Sequence, residues 1–315
     1  MRENSRLKKL NSKKLLKFIL CVIAITILAD LSYSIYIRVR LKIFENHVQR
    51  DAAGYLVGSE PFEAGDGENA ILFVHGFNDS PALWKKWVPF FVENGFYCKA
   101  IRLSGSAYNL EVKRNVTIEA RMEQIKKEFD KTKQTHDKVI LCSHSMGGAY
   151  ATVMIASNQI NPDVLVLVAP MFGVSPKKSP LLPPRSWLKI GSRITLFTDT
   201  VENIMPMDIA DKSVIPDYPI HPFIPLSLYD TLFELVDICS TNITSINIPT
   251  IMMVGENDTV IDKEIAVDYY NNMSSTQKVI IVDENLGHVI PRDFGNQVQA
   301  ELLLENIKKF LKTNK

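Results

Sequence analysis

Residues 138–156 read KVILCSHSMGGAYATVMIA. An apolar run ends at Cys142, a short polar cluster follows, and a glycine pair opens a helix-like stretch. The order is strand, turn, helix. A serine on such a turn is pushed out of the sheet in a strained conformation, with its hydroxyl exposed. The turn demands small residues two places before and two after, because strand and helix come close. Around Ser145 these are Ser143 and Gly147. Around Ser143 they would be Leu141 and Ser145, and leucine is too large. Ser145 is therefore the candidate nucleophile.

A serine hydroxyl needs a base, and the base needs an orienting acid. When strand and helix alternate, these partners follow later strands, in the chain order Ser, acid, His. TIMMVGENDTVID (250–262) supplies Asp258 just past an apolar strand. VIIVDENLGHVIPRD (279–293) supplies His288 past the next one. Both fall where open α/β sheets place ligands, at the carboxyl ends of strands. Glu256 and Asp283 are rival acids in poorer positions. The oxyanion formed on attack needs two backbone N–H groups. Met146 directly follows the serine, and Phe77 lies in the loop after the early strand of AILFVHGFNDSP (70–81), where Gly76 permits the turn.

The remaining histidines have humbler readings. His144 is adjacent to Ser145, so the two side chains point apart and packing is its expected role. His75 braces the oxyanion loop, and His47, His136 and His221 have no chemical context.

The wider pattern agrees with a sheet. Strand-like runs lie at 70–75, 97–101, 138–143, 164–169, 250–254 and 279–283, several wholly apolar, as parallel strands covered on both faces require. Helix-like runs fall between them: one over 81–95 opened by Pro81 and closed by Gly95, one capped by Thr117, and a last one over about 296–312. This alternation predicts an α/β fold, a mostly parallel sheet with helices on both faces. Between Pro170 and Pro249 no sheet strand is expected, and ten of the sixteen prolines fall between 170 and 225. The segment is too long for an ordinary loop and reads as an inserted cap, at about 171–247. Its aromatic residues Trp187, Phe197, Tyr218, Phe223 and Tyr229 either line an acyl pocket or form the cap's own small core.

Charge is unevenly spread. Residues 1–42 hold 10 Lys and Arg against 2 acids, leaving 26 against 33 in residues 43–315. An acidic main body argues against nucleic acid as a partner. Four cysteines, at 21, 98, 142 and 239, form no CxxC or Cys/His cluster of metal spacing.

The stretch from Phe18 to Ile37 has no Lys or Arg and a single charge, Asp30. Twenty residues at about 1.5 Å each match a hydrocarbon core. The expected organisation is a basic cytoplasmic tail over 1–17, a transmembrane signal anchor over 18–37 and a catalytic body over 43–315. Seven basic residues precede the span and three follow it, which places the body outside the cytoplasm. A cleaved signal peptide cut near Ser32-Tyr33-Ser34, or a helix lying on the membrane surface, are the competing readings. Asp30 weakens the spanning reading, since a carboxylate near mid-bilayer costs a few kcal/mol. Asn78-Asp79-Ser80 and Asn257-Asp258-Thr259 fit the glycosylation pattern, and a glycan at either would crowd the catalytic loops, which favours a bacterial envelope.

These pieces resemble an α/β-hydrolase of the monoacylglycerol lipase, carboxylesterase and serine aminopeptidase-like group. The resemblance rests on GSEPFEAG (58–65), LFVHGFNDSP (72–81), NGFYCKAIRLSG (94–105), SHSMGG (143–148), GENDTVI (255–261) and GHVIPRD (287–293). It implies Ser145 as nucleophile, His288 as base, Asp258 as its partner, Phe77 and Met146 as oxyanion donors, a cap after the sixth strand, and no cofactor. The implied activity is hydrolysis of small acyl or lipid-like esters. A peptidase or amidase, and a non-catalytic envelope protein of the same fold, are the alternatives. Relatives carry glycine where Ser143 stands and Pro-Gly-His-Gly where this chain has Ser104-Gly105-Ser106-Ala107. The second departure bears on substrate choice, not on the triad.

Overall fold

The computed structural model describes residues 2–179, 181–203 and 207–313. Met1 of the tail, residues 180 and 204–206 of the cap, and residues 314–315 lie outside the described residues, as do the side chains of the tail through residue 12.

Among the described residues there are nine strands: β1 Phe62–Ala64, β2 Asn69–Val74, β3 Phe96–Ile101, β4 Lys138–His144, β5 Val164–Val168, β6 Thr200–Glu202, β7 Phe223–Pro225, β8 Thr250–Gly255 and β9 Lys278–Asp283. Seven form one sheet in the order β1-β3-β2-β4-β5-β8-β9, parallel throughout except for β1. The six longer strands are those expected from their apolar runs. β2, β5 and β8 are buried almost end to end, so helices cover both faces.

The helices are α1 Arg2–His47, α2 Trp87–Glu93, α3 Leu110–Asn115, α4 Ile118–Thr135, α5 Met146–Ala156, α6 Pro184–Ile194, α7 Leu226–Asn242, α8 Lys263–Asn272 and α9 Asn296–Thr313. Thr117 caps α4 as expected, its side chain accepting from the N–H of Ala120. The single helix expected over 81–95 is instead a 3₁₀ turn, Pro81–Trp84, followed by α2. Pro89 explains the break. It has no N–H and its ring would meet the carbonyl four residues back, so the helix must restart within a turn before it.

The cap differs from expectation in three respects. It leaves after the fifth strand in chain order, β5, not the sixth. It contains a small antiparallel pair of its own, β6 with β7. Its last helix, α7, is not purely cap: Leu232, Leu235 and Cys239 join the main core beside α5, and the Cys239 thiol donates to the Ala149 carbonyl at 3.3 Å. The insertion therefore ends inside the helical layer of the sheet.

Among the described residues one helix, over Lys13–His47, is long and apolar enough to cross a membrane. It is unbroken to His47, and its second half lies against the cap.

Candidate active site

The register of the sheet brings together the three loops that carry the candidate residues. Val74 at the end of β2 pairs with Ser143 in β4, so the loop after β2 sits beside the turn that carries Ser145. On the other side β8 and β9 run parallel, and Gly255 pairs with Asp283. The loops holding Asp258 and His288 therefore leave the same edge next to each other.

Ser145 has φ 52° and ψ −120°, a conformation that costs a non-glycine residue on the order of 1–3 kcal/mol. The surroundings impose it. The N–H of Ser145 donates to the Val168 carbonyl at 3.0 Å, and the Ser145 carbonyl accepts from Gly148 and Met171 at 2.9 and 3.0 Å. Gly147 is needed for close approach: a Cβ there would lie 2.6 Å from the His75 carbonyl oxygen and 2.7 Å from that of Val74. Gly255 serves the same purpose at the other loops, where a Cβ would fall 2.2 Å from the Leu286 carbonyl oxygen.

The expected residues meet. Ser145 Oγ lies 3.0 Å from His288 Nε2, and His288 Nδ1 lies 2.8 Å from Asp258 Oδ2. Asp258 Oδ1 accepts from the N–H groups of Val260 at 2.7 Å and Ile261 at 2.9 Å. The carboxylate thus fixes Nδ1 as the protonated nitrogen and leaves Nε2 free to accept from the serine. Burial pulls the pKa of His288 down, but the Asp258 carboxylate, with Asp208 and Asp79 farther off, outweighs it and the net direction is up. Burial raises that of Asp258, yet His288 and the two N–H donors bring it net below the ordinary carboxylate value.

Met146 is the first residue of α5, and Phe77 follows Gly76, whose added Cβ would lie 2.8 Å from that of Ser145. Neither N–H has an acceptor among the described residues. Both are available to a developing oxyanion, and Met146 adds the positive end of a helix.

The two nearby histidines are buried and structural. His144 Nε2 bonds the His288 carbonyl oxygen at 3.0 Å, and its ring lies 4.8 Å from that of His288. His75 Nδ1 donates to the Gly76 carbonyl at 3.0 Å, while Nε2 accepts from the Leu103 N–H at 3.0 Å. Burial lowers the pKa of each to about 3, so both stay neutral at working pH. The rival acids are occupied elsewhere: Glu256 pairs with Lys263 at 2.7 Å, and Asp283 accepts from Gln299 at 2.9 Å.

Several supporting residues carry no sequence signal. Asp208 of the cap accepts at its carbonyl from the N–H groups of His288 and Val289, both at 3.2 Å. Its carboxylate accepts from the Thr259 N–H at 2.8 Å, so it staples both catalytic loops. Asp293 holds the same cap segment through the N–H groups of Ala210 and Asp211 at 2.8 Å. Asp79 accepts from the Tyr218 hydroxyl at 2.5 Å, and burial raises its pKa to about 6. Of the cap aromatics, Tyr229 packs 5.1 Å from Phe77, Tyr218 is the buried partner of Asp79, and Phe223 faces Phe44 of α1 at 6.1 Å. Trp187 and Phe197 are on the outer surface, each 42% exposed. His221 also has a place, with Nε2 3.2 Å from Glu45 of α1. A cleft of about 450 Å³ beside β3 and α4, lined by Lys99, Arg102 and Glu128, includes no member of the triad.

Ser143, in the place of the usual glycine, is fully buried and its hydroxyl has no partner among the described residues. An unsatisfied buried hydroxyl is destabilising. Ser143→Ala is expected to raise stability by about 1 kcal/mol, read as a higher denaturant midpoint with an unchanged slope. A lower midpoint would show that the hydroxyl is satisfied.

Comparison with known proteins places the fold and the family. A thermostable monoacylglycerol lipase from Bacillus sp. (strain H-257) is 22% identical over 256 residues, covering 81% of this chain and 96% of that protein. Among solved structures, a metagenome-derived lipolytic enzyme superposes with a TM-score of 0.71 at 19% identity, over 81% of this chain and 99% of the other. A soluble variant of Saccharomyces cerevisiae monoglyceride lipase, in complex with a substrate analogue, gives 0.68 at 13% identity, over 79% and 91%. These likenesses establish the α/β-hydrolase fold. A family model described as Hydrolase_4, serine aminopeptidase, S33, matches residues 65–294 and so takes in the sheet, the cap and all three triad positions. With that match over most of its length, the chain belongs to the serine aminopeptidase S33 family of hydrolases.

Proposed function

We propose that the protein is a serine hydrolase that cleaves carboxylic esters through an acyl-enzyme on Ser145. The observation that carries this reading is the unbroken hydrogen-bond chain from Ser145 through His288 to Asp258, at 3.0 and 2.8 Å. Ser145 Oγ attacks the ester carbonyl as its proton passes to His288 Nε2. Asp258 stabilises the imidazolium, and the N–H groups of Phe77 and Met146 receive the oxyanion. The imidazolium protonates the departing alcohol. Water, deprotonated by the same nitrogen, then releases the acid and restores the serine.

The names of the relatives, lipases of monoacylglycerols, favour lipid-like esters over peptides, although the family description is that of an aminopeptidase. A complete triad argues against a purely binding role.

We also propose that α1 is an uncleaved single-pass anchor, with the basic tail in the cytoplasm and the hydrolase domain outside, in a bacterial cell envelope. Cleavage near Ser32–Ser34 would remove Asp30, which bonds three backbone N–H groups of the cap, so the contacts support retention of the helix.

The test uses the full chain in detergent micelles, a series of nitrophenyl esters and the matched anilides. Ester turnover with little on anilides, together with a fluorophosphonate adduct located on Ser145 by mass spectrometry, is the expected result. Anilide turnover exceeding that of esters would put the amidase reading in its place.

A further inference from the structure

α1 meets the cap along one stripe. Asp30, Ser34 and Ile37 are buried, and Leu41 and Phe44 are half-buried, steps of four, three, four and three residues that keep one helical face inward. The Asp30 carboxylate accepts from the N–H groups of Leu196 at 2.6 Å, Phe197 at 2.9 Å and Thr198 at 3.2 Å. Ser34 Oγ donates to the Phe197 carbonyl at 2.8 Å, and Arg40 pairs with Glu202 at 2.7 Å. The loop after α6 is thereby joined to the anchor helix.

The helix length sets the depth of this joint. Residues 13–25 are exposed on every side. They span only about 20 Å, against about 30 Å of hydrocarbon. If the span starts after Lys17, as its charge favours, twenty residues end at Ile37. From either start, Asp30 and the loop bonded to it fall within the hydrocarbon thickness on the side of the catalytic domain.

The parts of the cap at that level are apolar and exposed. Leu196, whose N–H bonds Asp30, is 67% exposed, and Trp187, Ile190 and Ile194 form one exposed face of α6. Lys189 and Arg193 are exposed on the same helix, the composition of an interfacial helix that meets anionic headgroups. A groove of about 370 Å³ runs between α1 and α6, lined by Thr26, Ala29, Tyr33, Trp187, Ile194 and Leu226. In water such a patch is a liability, whereas it continues the apolar surface of α1 into a bilayer. Asp30 fits the same setting. In lipid, three free N–H groups and a lone carboxylate are each costly, and here they satisfy one another.

We propose that the cap is inserted into the bilayer leaflet on the catalytic side, with the Trp187, Ile190 and Ile194 face of α6 and the 195–198 loop toward the acyl chains, Lys189 and Arg193 toward the headgroups, and Asp30 as the joint that holds them to the anchor. This rests on the anchor reading of α1 given above. The surface takes phospholipid acyl chains, and the groove beside α1 is sized for one of them.

The test uses the full chain with Cys21→Ser, reconstituted in phosphatidylethanolamine–phosphatidylglycerol vesicles. One nitroxide is placed at Leu196→Cys and a control at Lys126→Cys on α4. The expected result is oxygen accessibility dominating at 196 and aqueous nickel-chelate accessibility dominating at 126. Adding Asp30→Ala is expected to raise nickel accessibility at 196 several-fold, while turnover of a short soluble ester changes little. A nickel-accessible label at 196 in the parent protein overturns the insertion without any need for the Asp30 variant. An Asp30→Ala protein with an unchanged label overturns the joint. Release of the parent protein from vesicles by alkaline carbonate overturns the anchor itself, a result separate from the other two.

Discussion

Ser145→Ala lowers kcat on an ester substrate by about 10⁴- to 10⁶-fold and leaves KM nearly unchanged. In the proposed mechanism the hydroxyl is the atom that bonds to the acyl group, and no neighbour replaces it. Ser143 is two residues away with its hydroxyl buried in the sheet, and the orphaned His288 Nε2 would have only water to activate. Substrate binding depends on other surfaces, so affinity survives. His288→Ala is expected to cost a similar factor, and the double variant hardly more, because the pair acts as a unit. The measurement is burst and steady-state kinetics on a nitrophenyl ester. A serine variant that keeps a hundredth of the parent rate would transfer the chemistry to another group.

Asp258→Asn is expected to lower kcat by about 10⁴-fold while the protein stays folded. The hydrogen bonds around the side chain explain both halves of this expectation. Asp258 Oδ1 is held by the N–H groups of Val260 and Ile261. An asparagine keeps its carbonyl oxygen there, which turns its NH₂ toward His288 Nδ1. That nitrogen must then accept, so the imidazole carries its proton on Nε2 and cannot take one from Ser145. The pH dependence follows. The base works only when neutral, and its pKa lies above the ordinary 6.5. In the parent protein kcat/KM therefore falls as pH drops through a midpoint above 6.5. Without the carboxylate, burial remains as the dominant influence, and it favours the neutral ring. The residual activity of the variant should accordingly persist to lower pH. A variant with the parent's rate and midpoint would remove Asp258 from the mechanism.

How much of this was legible in the sequence depended on the kind of signal. Parallel strands buried on both faces are continuous apolar runs, and the partly buried β3 and β9 keep enough of that character, so six of the seven sheet strands could be read directly. β1 has three residues, of which Glu63 and Ala64 are exposed, and it is fixed only by its partner β3. Ser145 was separable from Ser143 because the turn imposes a size limit two residues away. Asp208 was not separable from any other polar cap residue. It acts through a carbonyl and a carboxylate on the N–H groups of two remote loops, and no spacing records such contacts. α7 was hidden by the prolines that precede it. Asp30 read as a defect in a membrane span, because its donors lie more than 160 residues downstream.

The stripe on α1 also bears on where this chain can be cut. A boundary drawn just after the apolar segment, at residue 43, looks natural from hydropathy alone. It would strip Ile37 and Leu41 from Leu110 and Phe223, leaving that cluster open to water. It would leave the N–H groups of Leu196, Phe197 and Thr198 without their acceptor, and Glu202 without Arg40. The helix proposed as the anchor is at the same time a side of the folded domain. A fragment that begins after it is therefore a damaged cap on an intact sheet.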